Sequence, residues 1–189
     1  MRDSGFVRII AGTLKGRRLK APAWEGLRPT SDRLRETLFN ILAPRIAGAR
    51  VLDGYAGTGA VGIEAISRGA RHVTFVERDP RAARLIRENL ERAGVPERYA
   101  IIRARFADAA DAPAEAAGYD LVFLDPPYGE DEMRAALAQA APLVGGTTLL
   151  ILEHARRDAA PDEAAGLIKR RRVVSGDSAL AFYERSLHA

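Results

Sequence analysis

Hydrophobic and polar positions fall into two regimes along the chain: a loosely patterned, arginine-rich start, and from Val51 onward an alternation of short apolar runs with amphipathic segments. In the first regime Val7-Arg8-Ile9-Ile10 alternates weakly, Ala11-Gly12-Thr13-Leu14-Lys15-Gly16 supplies turn glycines, and Arg17-Arg18-Leu19-Lys20 resumes the pattern, which predicts a basic hairpin. Pro22 to Pro29 reads as an irregular connection holding the only tryptophan, Trp24, expected as a packing anchor. Thr30 or Ser31 caps a helix to about Leu42, with Leu34, Leu38, Ile41 and Leu42 on one face and Arg33, Arg35 and Glu36 away from it. Pro44 and Gly48 then mark the start of the main domain.

In the second regime the run ending at Leu52, then His72 to Val76, Tyr99 to Arg103, Tyr119 to Leu124 and Thr147 to Leu152, have strand length. Helical stretches separate them at Ala60 to Arg68, behind an Asp79 N-cap with Pro80 in the first turn, and at Asp131 to Leu143. In the Pro80 helix, Ala82, Ile86, Leu90 and Ala93 face inward until Gly94. The alanine-rich stretch 107–117 reads as a loop or short helix, and Leu167 to Val174 with Ala179 to Glu184 as a closing antiparallel hairpin about Ser175-Gly176-Asp177. Such alternation predicts an α/β domain over residues 46–189 with a parallel sheet and right-handed crossovers, preceded by a basic extension over 1–45.

Composition narrows the chemistry. With no cysteine the chain has no disulfide, thiolate metal site or cysteine nucleophile, which fits a reducing cytoplasm. His72, His154 and His188 lack ligand spacing, so no protein-held metal is expected. No signal core or run of ~20 apolar residues is present, so no membrane association is expected. Residues 1–50 hold eleven basic and four acidic side chains, a net +7, and residues 51–189 hold eighteen and twenty-one, a net −3, against +4 overall. The positive field therefore belongs to the start of the chain, as a polyanion-binding arm requires.

Two motifs carry chemistry. In Val51-Leu52-Asp53-Gly54-Tyr55-Ala56-Gly57-Thr58-Gly59-Ala60-Val61-Gly62 an apolar run stops at a carboxylate and a glycine-rich turn opens a helix. In a nicotinamide site the first glycine follows the strand almost directly and the helix receives a pyrophosphate; here Asp53 to Ala56 intervene. An acid at the strand tip suits a ligand with an ammonium group and no phosphates, which describes S-adenosylmethionine. Glu77 ends the next apolar run, where a carboxylate can accept both ribose hydroxyls. The second motif, Asp125-Pro126-Pro127-Tyr128-Gly129, ends a strand at the same sheet edge. Its prolines remove two N–H donors and leave the Asp125 carboxylate and Pro126 carbonyl as rigid acceptors. Acceptors without donors suit the exocyclic amine of a nucleobase, on which Tyr128 can stack.

These motifs resemble those of class I S-adenosylmethionine-dependent amino-methyltransferases. Arg8-Ile9-Ile10-Ala11-Gly12, Lys15-Gly16-Arg17-Arg18-Leu19 and the segment from Leu27-Arg28-Pro29-Thr30-Ser31-Asp32 to Asn40 look like the bacterial RsmD family, a similarity covering Arg8 to Tyr183. The resemblance implies a Rossmann-like domain with a mostly parallel seven-stranded sheet and a C-terminal antiparallel hairpin, plus the small basic N-terminal hairpin and helix. It also implies a cytoplasmic, monomeric enzyme that methylates the N2 amine of a guanine in 16S ribosomal RNA, within the small ribosomal subunit. By motif, Asp53, Gly57 and Gly59 hold the methionine end of the cofactor, Glu77 its ribose, and Thr58 and Arg78 complete that set. Asp125, Pro126 and Tyr128 hold the guanine, and Arg17, Arg18, Lys20, Arg28 and Arg33 the RNA. Two departures stand out. Gly54 replaces a bulky apolar residue, which predicts a looser first turn, and Arg103-Ala104-Arg105-Phe106 stands where relatives place an acid for the adenine amine, with Asp108 the nearby substitute.

Three other readings stay open: a DNA adenine-N6 methyltransferase, since the Asp-Pro-Pro-Tyr turn also serves that amine; an RNA-binding or assembly protein with a vestigial pocket; and a nicotinamide dehydrogenase. Against the first counts the lack of a second domain large enough to read duplex sequence.

Overall fold

Residues 6–24, 30–110 and 118–186 are described by the computed structural model. Arg28 and the alanine-rich stretch beyond Ala110, up to residue 117, lie outside the described residues. The basic hairpin forms as β1 (Phe6–Arg8) and β2 (Arg18–Lys20), antiparallel, with Val7 opposite Leu19. Helix α1 (Asp32–Ile46) opens on Ser31, whose hydroxyl accepts the Leu34 N–H at 3.2 Å. It runs a turn past the expected end, through Pro44. The N–H that Pro44 lacks would have paired with the carbonyl of Asn40, an exposed residue where water can serve instead.

From there strands and helices alternate: β3 (Arg50–Asp53), α2 (Ala60–Ser67), β4 (His72–Val76), α3 (Pro80–Arg92), β5 (Tyr99–Ile102), α4 (Phe106–Ala110), β6 (Leu121–Leu124), α5 (Glu130–Ala140) and β7 (Leu149–Ala155). Three antiparallel strands close the chain: β8 (Glu163–Ala164), β9 (Leu167–Ser175) and β10 (Ser178–Arg185). The sheet order is β5-β4-β3-β6-β7-β10-β9-β8, with β5 to β7 parallel. Beside the seven expected strands stands an eighth, the two-residue β8, too short to leave a periodic signal. Order reverses between β3 and β6, and an open α/β sheet leaves its ligand crevice beyond the strand ends at that point. Asp53 ends β3 and Asp125 follows β6, so both carboxylates stand at the crevice.

The apolar stripes are where the periodicity put them. Ala82, Ile86, Leu90 and Ala93 are all buried, Ile86 and Leu90 completely, each worth roughly 1.5–3 kcal/mol for its full burial. One continuous core joins Val7, Ile9, Leu19, Leu34, Leu38 and Leu42 to Val51, Ile63, Val73 and Ile86. The hairpin and α1 are therefore packed on one face of the sheet together with α2 and α3, while α4 and α5 line the other. Among the described residues no helix is long and apolar enough to cross a membrane.

Arg35, expected away from the apolar face, is fully buried. Its guanidinium donates to the Arg8 carbonyl at 2.8 Å and to Asp32 at 2.5 Å, and lies 3.5 Å from Glu64, itself fully buried on α2. Glu64 also accepts the N–H groups of Ile10 and Ala11, at 2.8 and 3.0 Å, and Nε of Arg68 at 2.8 Å. A buried carboxylate is tolerated only when its lone pairs are filled, and here the donors come from three separate chain segments. The N-terminal segment is thus tied to the sheet domain by charge as well as by packing.

Candidate active site

Where the sheet order reverses, a cavity of about 770 Å³ opens, within the range of small-molecule sites. One wall is the turn from Asp53 to Thr58; Glu77 and Arg78 close one side, Ala104 to Ala107 another, and Asp125 to Tyr128 stand at the mouth. The structure thus brings together Asp53, Gly57, Thr58, Glu77, Arg78, Asp125, Pro126 and Tyr128. Gly59 does not line the cavity: it sits beneath the turn at φ 78°, where it starts α2 and where a Cβ would press on Ile86 at 3.2 Å. Gly62 is required by packing instead, since a Cβ there would lie 2.2 Å from the Phe75 ring.

Asp53 is 1% exposed, and its carboxylate accepts the Gly62 N–H at 3.0 Å. Burial, together with the nearby Glu77 charge, pushes its pKa up to about 7, against the opposing pull of the Gly62 bond. Glu77 fastens the turn: one carboxylate oxygen accepts the Gly57 N–H at 2.9 Å and the other the Asp79 N–H at 2.8 Å. Each oxygen keeps a lone pair, so both bonds are compatible with ribose hydroxyls. The carboxyl of Asp125 is held well above the usual range, first by burial, then by the Glu153 and Asp53 charges. Glu153 belongs to β7, directly after Leu152, which pairs with Leu124. Three crowded carboxylates make a site that favours a positively charged ligand.

Gly54 does not loosen the turn. Its N–H donates to the Phe123 carbonyl at 2.8 Å, and Leu124 and Phe106 fill the space a side chain would need, a Cβ meeting them at 2.5 and 2.9 Å. The bulk expected at residue 54 is supplied by Phe106, which stacks tilted on Tyr55 with centroids 5.3 Å apart. Asp108, the suggested acid for adenine, is bound to Arg105 at 2.9 and 3.1 Å and does not line the cavity. Trp24 does line it, with the Arg81 guanidinium 5.0 Å from its ring, as does Thr30. Sequence reading missed both, though an aromatic in an irregular segment just ahead of a capped helix is a usable signal.

The expected RNA-binding arginines are dispersed. Arg17 donates to the Ala93 carbonyl and packs against Gly94. The Lys20 ammonium pairs with Glu88 at 2.7 Å. Arg18 is exposed, 5.9 Å from the Phe6 ring centroid, and Arg33 is exposed in the first turn of α1.

Fold and site together define a class I methyltransferase, with the glycine turn and the Asp-Pro-Pro-Tyr turn on either side of one crevice. The family described as Conserved hypothetical protein 95 matches residues 7–184. Ribosomal RNA small subunit methyltransferase D of Escherichia coli (strain K12) is 35% identical over 190 residues, covering 96% of this chain and 91% of its own. The YlbH protein of Bacillus subtilis is 35% identical over 182 residues, covering 95% and 99%. Among solved structures, the yhhF protein of Escherichia coli superposes with a TM-score of 0.82 at 32% identity, over 96% of this chain and 99% of that one. The chain belongs to the RsmD family.

Proposed function

We infer that this chain is a ribosomal RNA methyltransferase that uses S-adenosylmethionine to methylate the exocyclic N2 of a guanine in 16S ribosomal RNA of the small subunit. The observation that carries the reading is the single crevice holding Asp53 and Glu77 on one side and the Asp125-Pro126-Pro127-Tyr128 turn on the other. The names of the family's ribosomal RNA methyltransferases support the substrate class.

The residues fit the cofactor. Asp53, whose pKa is raised by burial and by the nearby Glu77 charge, suits its ammonium, and Glu77 its ribose hydroxyls, with Gly57, Thr58 and Arg78 around them. When bound, S-adenosylmethionine supplies an electrophilic methyl on a sulfonium centre. The chain's own work is to position and to accept. Asp125 and the Pro126 carbonyl accept the two N2 hydrogens and so favour a pyramidal nitrogen with its lone pair free. The exposed Tyr128 ring, 61% accessible, offers a stacking face for the base. Transfer leaves the amine one proton in excess, and Asp125 Oδ, of raised proton affinity, takes it and passes it to water. The test is methyl transfer from labelled cofactor to protein-free 16S RNA and to small-subunit particles, followed by mapping of the modified base. Methyl on adenine, on a ring nitrogen or on ribose refutes the guanine-N2 assignment.

A further inference from the structure

Positive charge is concentrated in residues 1–50, yet the fold carries the hairpin tip away from the catalytic edge. Arg17 caps the carbonyl of Ala93, just past the end of α3, and the Leu14 N–H donates to the Ser67 hydroxyl at 3.0 Å, at the end of α2. Those helix ends lead into the beginnings of β5 and β4, the edge opposite Asp53 and Asp125.

A different group of arginines emerges at the catalytic edge. Arg172 on β9 pairs in register with Ala181, Ala181 with Leu152, and Leu152 with Leu124, the residue before Asp125. Three strand spacings of roughly 4.8 Å put Arg172 about 14 Å across the sheet from the catalytic turn. Its guanidinium donates to the Arg156 carbonyl at 2.7 Å, and the Arg156 N–H donates to the Asp177 carbonyl at 2.7 Å, which locks the end of β7 to the β9–β10 turn. Arg156 and Arg157 are exposed, and the Arg157 side chain keeps 84% of its surface, 3.8 Å from Asp158. The nearby His154 imidazole is held below its ordinary range first by burial, with the Arg172 and Lys169 charges adding to this and the Ala155 carbonyl and the Asp158 charge opposing it. Arg33 joins the same edge, because Thr37, one turn on, meets Ser175 at the end of β9 with their hydroxyls 3.5 Å apart.

We propose that Arg156, Arg157 and Arg172 form a phosphate-binding platform at the catalytic edge, which grips the RNA strand leading away from the target base. The platform rests on the reading of an RNA substrate given above. At about 14 Å from the catalytic turn, Arg172 lies within reach of a strand only a few nucleotides long. The Arg156 carbonyl holds the Arg172 guanidinium without neutralising it, and the Arg156 backbone bonds fix the chain that carries Arg156 and Arg157.

The test uses the full chain with alanine at all three positions, a second variant with lysine at all three, and Lys15→Ala, at the exposed hairpin tip, as a comparison. Binding of labelled 16S RNA is followed by anisotropy across a salt series, alongside methyl-transfer kinetics and calorimetry of cofactor binding. Three phosphate contacts at ~0.7–0.9 each predict a fall of about two to three in the slope of log K against log salt. The KM for RNA should rise at least about tenfold in the alanine variant, with kcat and cofactor affinity unchanged. The lysine variant should keep the slope, and Lys15→Ala should leave it nearly intact. If the alanine variant keeps wild-type slope and KM while wild type methylates RNA, the platform is refuted and the enzyme reading stands. If affinity falls for small-subunit particles but not for protein-free RNA, the cluster docks on a protein and the proposal is overturned. Wild type that transfers methyl to no RNA, yet loses salt-dependent RNA binding in the alanine variant, refutes the enzyme reading and leaves the platform.

Discussion

Cofactor binding should release a proton, and Asp53 is its source. In the free chain this carboxyl titrates at about 7, because burial penalises its charge and Glu77 lies near. A ligand ammonium favours the ionised form, so its affinity must rise with pH until Asp53 is fully ionised. If the bound carboxylate stays charged throughout, the affinity at any pH is reduced by the reciprocal of the ionised fraction, 1 + 10^(pKa − pH). That factor is about 11 at pH 6 and about 1.3 at pH 7.5 for a pKa of 7, so affinity should climb about eightfold across the window, or ~1.3 kcal/mol. S-adenosylhomocysteine is the appropriate probe, since its amino group stays protonated over this range. Calorimetry at pH 6 in buffers of different ionisation enthalpy should register release of nearly one proton. Asn at residue 53 can still accept the Gly62 N–H but cannot titrate, so Asp53→Asn should bind more weakly with most of that release gone. Affinity that is flat with pH would refute the reasoning, and release undiminished in Asp53→Asn would refute it and move the titrating group to Asp125.

Asp125→Ala should lower kcat by roughly two to three powers of ten while cofactor and RNA affinities stay near wild type, because its bond to the amine strengthens as the nitrogen pyramidalises. Single-turnover methyl transfer with parallel binding titrations checks it, and undiminished turnover would make the turn structural. Glu77→Ala should weaken S-adenosylmethionine binding at least about tenfold in calorimetry, since bonds to a charged acceptor are each worth about 1.5–3 kcal/mol. Glu64→Ala should cost about 3–5 kcal/mol in urea denaturation, because Arg35 loses its buried partner and the Ile10 and Ala11 N–H groups lose their acceptor. A loss below about 1 kcal/mol would mean that water replaces the carboxylate.

The order of elements and the two chemical turns were legible in the sequence because they rest on local signals. Asp79-Pro80 starts α3 through a cap and a fixed φ, and Asp53, Glu77 and Asp125 each end an apolar run, so their place at the sheet edge follows from strand direction alone. What local signals cannot carry is the partner a charged side chain finds from another part of the chain. Arg35 reads as solvated on its own helix; it is buried because Glu64, twenty-nine residues on, and the Arg8 carbonyl converge on it. Arg17 reads as an RNA contact, and the fold sets it against the end of α3. Gly54 reads as a loosened turn, and the ring of Phe106 fills its space from the start of α4. Arg156, Arg157 and Arg172 lie in the net acidic part of the chain, and only the register of β7, β10 and β9 brings them level with the catalytic turn. The hydrophobic pattern determines which faces are buried, since each residue's transfer free energy is its own. Tertiary structure decides which charges are neutralised and which face the substrate, because a charge's energy depends on its neighbours within a few ångströms, and those neighbours are set by long-range pairing.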